Sequence, residues 1–457
     1  MDERFSLRLQ ELLEGAVCGP EVTAGIRDHL VEFLKPYIAG YDVTAQKTHM
    51  HEYVQGLISK LARKTGEGIA YFHDHGRQGL QKFIGLASWD HAPLLQTLAK
   101  QVGERIGQAN GVIVFDPSAF AKKGQKSVGV ARQWSGRLGK VENGQVGVFM
   151  GYVSQKEHAL VGVRLYLPKE WTDNRARCIE AGVPTGTKFR TRHELALEML
   201  DELGNSLPHS WVTGDDELGR PAHFRAILRE RGERYLLAVP SNTLVRDLEV
   251  EPPSHSGRGR PAARSHVRVT DWCAALPATA WKRFTVRDGE KGPLVVEAVT
   301  RRVSAKFGTS VGPEERLFIT RELQSDGGYK HDYYLVHTGS VDAPMAEMAR
   351  VTKAEHRIEE CIQRGKSDAG LGDYQVRNWA GWHHHIALSL VAAWFLIEAT
   401  RRGKNVHAGT DGSASTRPDR EPAGRATPVQ PSCKRTTPRD PLVATNRTGT
   451  LLPLSRA

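Results

Sequence analysis

The stretch whose reading decides the fold is "VIVFDPSAFAKKG", residues 112–124. Four apolar residues, Val112 to Phe115, read as a buried strand, and they run straight into Asp116. Asp-Pro is a good turn opener, so the plain reading is a strand that stops at Asp116 in a turn. The chemical reading is that a strand end holds Asp116 to grip a divalent cation. Lys122 and Lys123, just beyond, would then face something anionic.

Working outward, the period-two pattern continues. "QVGVFMGYVS" (145–154) and "ALVGVRLYLP" (159–168) read as two more strands, with "QKEH" as the hairpin loop between them. "RHELALEMLDEL" (192–203) reads as a helix, "SWVTGDD" (210–216) as a second strand ending in acid, "PAHFRAILRER" (221–231) as a helix and "RYLLAVP" (234–240) as a strand. Three strands followed by alternating helix and strand indicate a mixed α/β sheet. Residues 1–108 read as helical. In "YVQGLISKLARK", Val54, Leu57, Ile58 and Leu61 fall on one face at i, i+3, i+4 and i+7. Between 250 and 340 a Gly/Arg/Pro-rich loop containing "GRGRP" precedes further strand patterns, a β-rich insertion. Helix returns at 343–366 and again near 385–400.

Composition bounds the function. The formal net charge is +11, but from Arg401 onward eleven Lys/Arg face four Asp/Glu, leaving little excess for the rest of the chain. Local basic loops therefore carry any nucleic-acid argument. From 403 onward there is no Phe, Trp or Tyr, and Ser, Thr, Pro, Arg and Gly dominate, so a disordered basic tail is expected. Five scattered cysteines, Cys18, Cys178, Cys273, Cys361 and Cys433, contain no C-x-x-C. That points away from a disulfide frame or structural zinc and towards a cytoplasmic protein. The longest apolar stretch, "IALSLVAAWFLI" (386–397), is short for a bilayer span and reads as a buried helix. Consecutive His383, His384 and His385 would point about 100° apart on a helix, which disfavours one shared ion.

Asp116 and Asp215 end two strands, and the helix "AEHRIEECIQRGK" offers a third carboxylate. Three acids from separate elements are what a pair of Mg²⁺ ions needs to clamp the attacking and leaving oxygens of a phosphodiester. Asp216 competes with Asp215 on these grounds alone.

Six ordered stretches carry a resemblance: "YVQGLISKLARKTGEGIA", "LQKFIGLASWD", "FDPSAFAKKGQKSVGVARQWSGRLGKVENGQVGV", "LYLPKEWT", "WVTGDDELGR" and "GLGDYQVRNWAGWHHHIALSL". Between about Tyr53 and Leu396 the chain resembles the DDE transposases of bacterial insertion sequences, in the group with a Tyr-Arg-Glu-Lys signature (the IS seven-oh-one branch). The resemblance implies an RNase H-like α/β core with a β-rich insertion. It implies binding to terminal inverted repeats and target DNA, most naturally as a homodimer, with Mg²⁺ or Mn²⁺ as cofactor. It makes Asp116 the first acid. Asp215 is the second, because the family has Gly four positions later, here Gly219. Glu359 is the third, with the signature lysine seven residues on at Lys366. Lys122, Lys123, Lys126, Arg132, Arg137 and Lys140 fall where DNA phosphates would lie. The signature's Arg and Tyr are here Glu355 and Thr352, and Arg357 or Arg350 would supply the charge from another angle. The expected organisation is a helical domain over 1–108, the catalytic core over 109–245 and 341–402, the insertion over 246–340 and the tail over 403–457. A catalytically inactive DNA-binding remnant or repressor is the alternative function.

Overall fold

In the computed structural model the 112–124 run forms strand β1, Val112–Ala121, which continues five residues beyond Asp116 instead of turning there. The reason lies in its neighbours. β1 pairs along its whole length with the antiparallel strand β3, Lys140–Val153, Asp116 lying opposite Phe149. On its other edge it pairs in parallel with β5, Trp211–Gly214, and that pairing stops at Phe115↔Gly214. From Asp116 onward one edge is therefore unpaired, where Pro117, which has no N–H to give, is tolerated. The structure describes residues 25–410, except 136–138, 252–256, 258–264, 290–291, 309 and 341; Arg137, the "GRGRP" loop and the tail from 411 lie outside the described residues.

Twelve strands form one mixed, mostly antiparallel sheet. Besides β1, β3 and β5 these are β2 Ala131–Ser135, β4 His158–Tyr166, β6 Tyr235–Ala238, β7 Leu244–Asp247, β8 Val267–Arg268, β9 Lys282–Gly289, β10 Gly292–Phe307, β11 Ser310–Leu323 and β12 Tyr329–His337. The order is β2-β3-β1-β5-β6-β12-β11-β10-β7-β8, with β4 on β3 and β9 on β10. β1, β5 and β6 run parallel, and the other pairings are antiparallel. The β-rich stretch after β6 extends this sheet, because β12 pairs with β6. It adds a small second core around Val245, Val303, Leu317 and Leu335.

The helices in chain order are α1 Ile26–Ile38, α2 Thr44–Leu57, α3 Gly66–Phe72, α4 Gln78–Gly85, α5 Ala92–Ile106, α6 Lys169–Thr172, α7 Arg175–Glu180, α8 Arg192–Leu203, α9 Asp216–Gly219, α10 Ala222–Glu230, α11 Val269–Ala274, α12 Met345–Val351, α13 Ala354–Asp368 and α14 Trp379–Thr410. α8 begins where the sequence places it, on a capping box between Thr191 and Glu194. α2 ends at Leu57, earlier than the apolar face predicts. Ser59 explains the stop: its hydroxyl donates to the Gly56 carbonyl at 2.7 Å and accepts from Leu61 N–H, so a side chain replaces the next helical bonds. Val54, Leu57 and Ile58 are nonetheless buried. The 343–366 pattern divides into α12 and α13, with Thr352 and Lys353 between them.

α14 is long and apolar enough to cross a membrane, but most of it is buried inside the fold. The three histidines tie it to the helical layer. His384 faces the carbonyls of Ile84 and Trp89, both at 2.8 Å, and His385 faces Tyr53 Oη and the Gly370 carbonyl. α13 lies across the sheet and approaches β3 so closely that a Cβ on Gly151 would fall 2.3 Å from Ile358. That contact sets the height of α13 above β1.

Candidate active site

β1 has the antiparallel strand β3 on one side and β5 on the other, and β5 in turn pairs in parallel with β6. A crevice opens outside the carboxyl ends of parallel strands at such a switch point. Asp116 and Asp215 both stand there, each one residue past the last β1–β5 pair. Asp215 caps the short helix α9, its Oδ1 accepting from Leu218 N–H at 3.0 Å. Gly219 makes this geometry possible. A Cβ there would lie 1.8 Å from the Ala238 carbonyl oxygen, so only glycine lets α9 settle on β6. The Asp-x-x-x-Gly spacing thus has a packing cause. Asp216 is exposed and pairs with Arg220 at 3.3 Å.

α13 supplies the other side. Ala354, Ile358, Cys361 and Gly365 form its buried stripe. Glu355, Glu359 and Lys366 lie within about 40° of one another on a neighbouring stripe, at 100° per residue. Lys366 Nζ reaches β1, donating to Ser118 Oγ at 3.0 Å and lying 4.6 Å above the Phe120 ring. Glu360 is turned away and pairs with Arg364 at 2.6 Å.

The carboxylates feel one another. Burial, then Glu359, raises the Asp116 pKa to about 6, and Lys366 pulls it the other way. Burial raises Asp215 to about 7, against the Leu218 N–H bond and helped by Glu217, Asp116 and Asp216. Glu355 rises furthest, to about 8, through burial and then Asp215, Asp116 and Glu359. Asp116 is thus close enough to Asp215, Glu359 and Lys366 for their charges to act on one another. The structure adds two acids that sequence reading missed. Glu217, two residues past Asp215, is held by both oxygens on Arg192 at 2.7 and 2.6 Å. Glu355 stands one helical turn before Glu359, and that i, i+4 relation was the available signal.

These groups fit a hard divalent cation: oxygen donors from three elements, and an Asp116 carboxylate that accepts no hydrogen bond from the described residues. Among those residues no three His, Cys, Asp or Glu side chains yet converge closely enough to hold one ion. Arg357 and Arg350 do not stand in for the signature arginine. Arg357 donates to the carbonyls of Ser154 and Gln155, and Arg350 to that of Asn110, all at the other end of β1 and β3.

The basic loop after β1 is less uniform than its sequence. Lys122 folds inward, 3.4 Å from the Tyr374 ring centre, and burial lowers its pKa to about 8. Lys126 pairs with Glu180 at 2.9 Å and Lys140 with Glu142 at 3.0 Å. Lys123 and Arg132 are exposed and without an ion-pair partner among the described residues.

The family model for the DDE superfamily endonucleases matches residues 36–293, more than half of the chain. The chain belongs to the DDE superfamily endonucleases. The matched stretch of this DDE endonuclease contains Asp116 and Asp215 and ends before α13. The chain is also 29% identical over 239 residues to the probable transposase for insertion sequence element IS701 of Microchaete diplosiphon, covering 49% of this chain and 57% of that protein. The DDE endonuclease thus spans little more than half the length of this relative. It aligns with piggyBac transposase in a synaptic complex with hairpin DNA at TM-score 0.37 and 11% identity, over 91% of this chain and 83% of that one.

Proposed function

We propose that this DDE endonuclease is the transposase of a bacterial insertion sequence. It binds the element's terminal inverted repeats as a homodimer, cuts there, and joins the freed 3′-hydroxyl to target DNA, working at the nucleoid in the cytoplasm. The observation that carries the reading is the coupled set Asp116, Asp215 and Glu359, delivered by β1, β5 and α13 with Lys366 beside it. The strand order β4-β3-β1-β5-β6, antiparallel and then parallel, supports reading the core as RNase H-like.

Asp116, Asp215 and Glu359 would hold two Mg²⁺ ions, or Mn²⁺ in their place, which when bound polarise the phosphodiester and activate the attacking water or hydroxyl. Asp215 is oriented by its cap bond to Leu218 N–H. Lys366, anchored on Ser118, offers a cation to a phosphate oxygen beside the acids.

The test is cleavage of labelled DNA carrying the gene's flanking sequences, in Mg²⁺. Asp116→Ala, Asp215→Ala and Glu359→Ala should each lose cleavage and keep end binding, while Asp216→Ala should still cut. A dead Asp216→Ala protein beside an active Asp215→Ala protein would mean the second ligand is misassigned. Binding by the wild type with no cleavage would establish the inactive-remnant alternative.

A further inference from the structure

Two adjoining depressions, of 690 and 560 Å³, lie at the far end of β1 from its N-terminus and share Gln125 and Lys126 in their walls. Together they form one groove. Its basic residues come from four segments: Lys122, Lys123 and Lys126 after β1, Arg132 on β2, Arg177 on α7 and Arg377 before α14; Glu170 and Glu180 also line it. These cations have different jobs. Arg177 shapes the wall: its guanidinium lies 3.7 Å from the Trp171 ring and donates to the carbonyls of Gln125 and Val130. Lys122 covers Tyr374. Lys126 is neutralised by Glu180. Lys123, Arg132 and Arg377 are exposed and form no ion pair with a described residue, although the charge of Arg132 acts on nearby Glu142.

We infer that this groove is a DNA-backbone track, in which Lys123, Arg132 and Arg377 contact the phosphates of duplex DNA leading away from the acidic site. The inference rests on the proposed function for its choice of DNA. Two features select phosphate over base. The aromatic rings in the lining, Trp171 and Tyr374, are each covered by a cation, so neither offers a face for base stacking. The exposed groups are point charges spread over three segments, which suits sequence-independent contact. The location fits too. Lys122 lies six residues beyond Asp116, so the groove begins about 20 Å from the acids at 3.3 Å per residue. That is roughly six base pairs at 3.4 Å each.

The experiment measures binding, not cutting. The full-length protein is titrated against a labelled duplex of about 30 bp of arbitrary sequence, between roughly 50 and 300 mM KCl. Each of Lys123→Ala, Arg132→Ala and Arg377→Ala should lower the slope of log affinity against log salt by about 0.9, one phosphate apiece. Arg377→Lys should restore the slope, because the charge remains. Lys330→Ala, which removes an exposed cation of β12 outside the groove, should leave the slope near the wild-type value. The inference is overturned if the three groove variants keep the wild-type slope. It is equally overturned if Lys330→Ala loses as much as they do, or if Arg377→Lys loses as much as Arg377→Ala. Asp116→Asn should bind with the full slope. A cutting-dead Asp116→Asn alongside unaltered groove variants would sink the groove and leave the proposed function standing. A wild-type protein that neither binds nor cuts duplex DNA would sink the proposed function itself.

Discussion

Glu355, which the resemblance aligns with the signature's arginine, changes the electrostatics around Asp116 and Asp215. An arginine there would place a cation beside Asp215, whereas Glu355 adds one more carboxylate to a group that already repels itself. Removing one carboxylate from such a set relieves repulsion and burial cost together. Glu355→Gln should therefore raise the melting temperature of the metal-free protein, by about 1–3 °C for a stabilisation near 1 kcal/mol. Glu359 is largely exposed and lies 3.5 Å from His356, so Glu359→Gln should barely move the melt yet abolish cleavage. Thermal melts without divalent cation, paired with the cleavage assay, check both. If Glu355→Gln abolishes cleavage and Glu359→Gln does not, Glu355 is the third acid. Strand periodicity made Asp116 and Asp215 legible as strand-end acids, and the family resemblance chose Asp215 over Asp216 and named Glu359 and Lys366 on the helix. The i, i+4 relation to Glu359 placed Glu355 on the same face, but its burial depends on how closely α13 packs on β3 at Gly151, which no local pattern shows.

The strand carrying Asp215 is short, and its start is pinned from outside. His209 precedes β5, with Nδ1 2.6 Å from the Leu207 carbonyl and Nε2 3.1 Å from Glu233, at the turn into β6. Both ring nitrogens face acceptors, an arrangement only the imidazolium satisfies fully. Burial by itself would lower the pKa, but Glu233 and the Leu207 carbonyl outweigh it and hold it above the usual value. The sign follows. A histidine with a raised folded-state pKa contributes stability that is fully present below about pH 6.5, the unfolded value. That contribution is lost as pH rises through the higher folded value. His209→Gln should thus destabilise most at about pH 5.5 and least at about pH 8.5, in melts compared with wild type. A gap between the two proteins that stays constant with pH would show that the contact is not ionic. Turn chemistry read from sequence was no guide to β1 either. Asp-Pro predicts a turn at 116–117, but pairing with β3 carries the strand to Ala121, because tertiary partners override a local preference.

At the scale of the molecule, the alternation of strands and helices was legible, and so was the β-rich character of 250–340. That those later strands would join the first sheet through β12 and β6 was not, because pairing between distant strands leaves no periodic signature. The stretch after α14 is legible only as composition. Residues 411–457 contain no Phe, Trp or Tyr and carry eight Lys/Arg against four Asp/Glu. With no aromatic and few aliphatic side chains such a segment has little to offset the entropy of ordering its backbone, so the sheet and α14 should fold without it. Deleting 411–457 should leave the melting temperature within about 1 °C of the full chain. It should also weaken binding to arbitrary-sequence duplex at low salt. That loss should shrink as salt rises, because the tail's cations would act through counterion release. Cleavage by the truncated protein should persist, since Asp116, Asp215 and Glu359 all lie in the part that remains. A drop of many degrees on deletion would mean that the tail packs against the fold, and the compositional argument would be wrong.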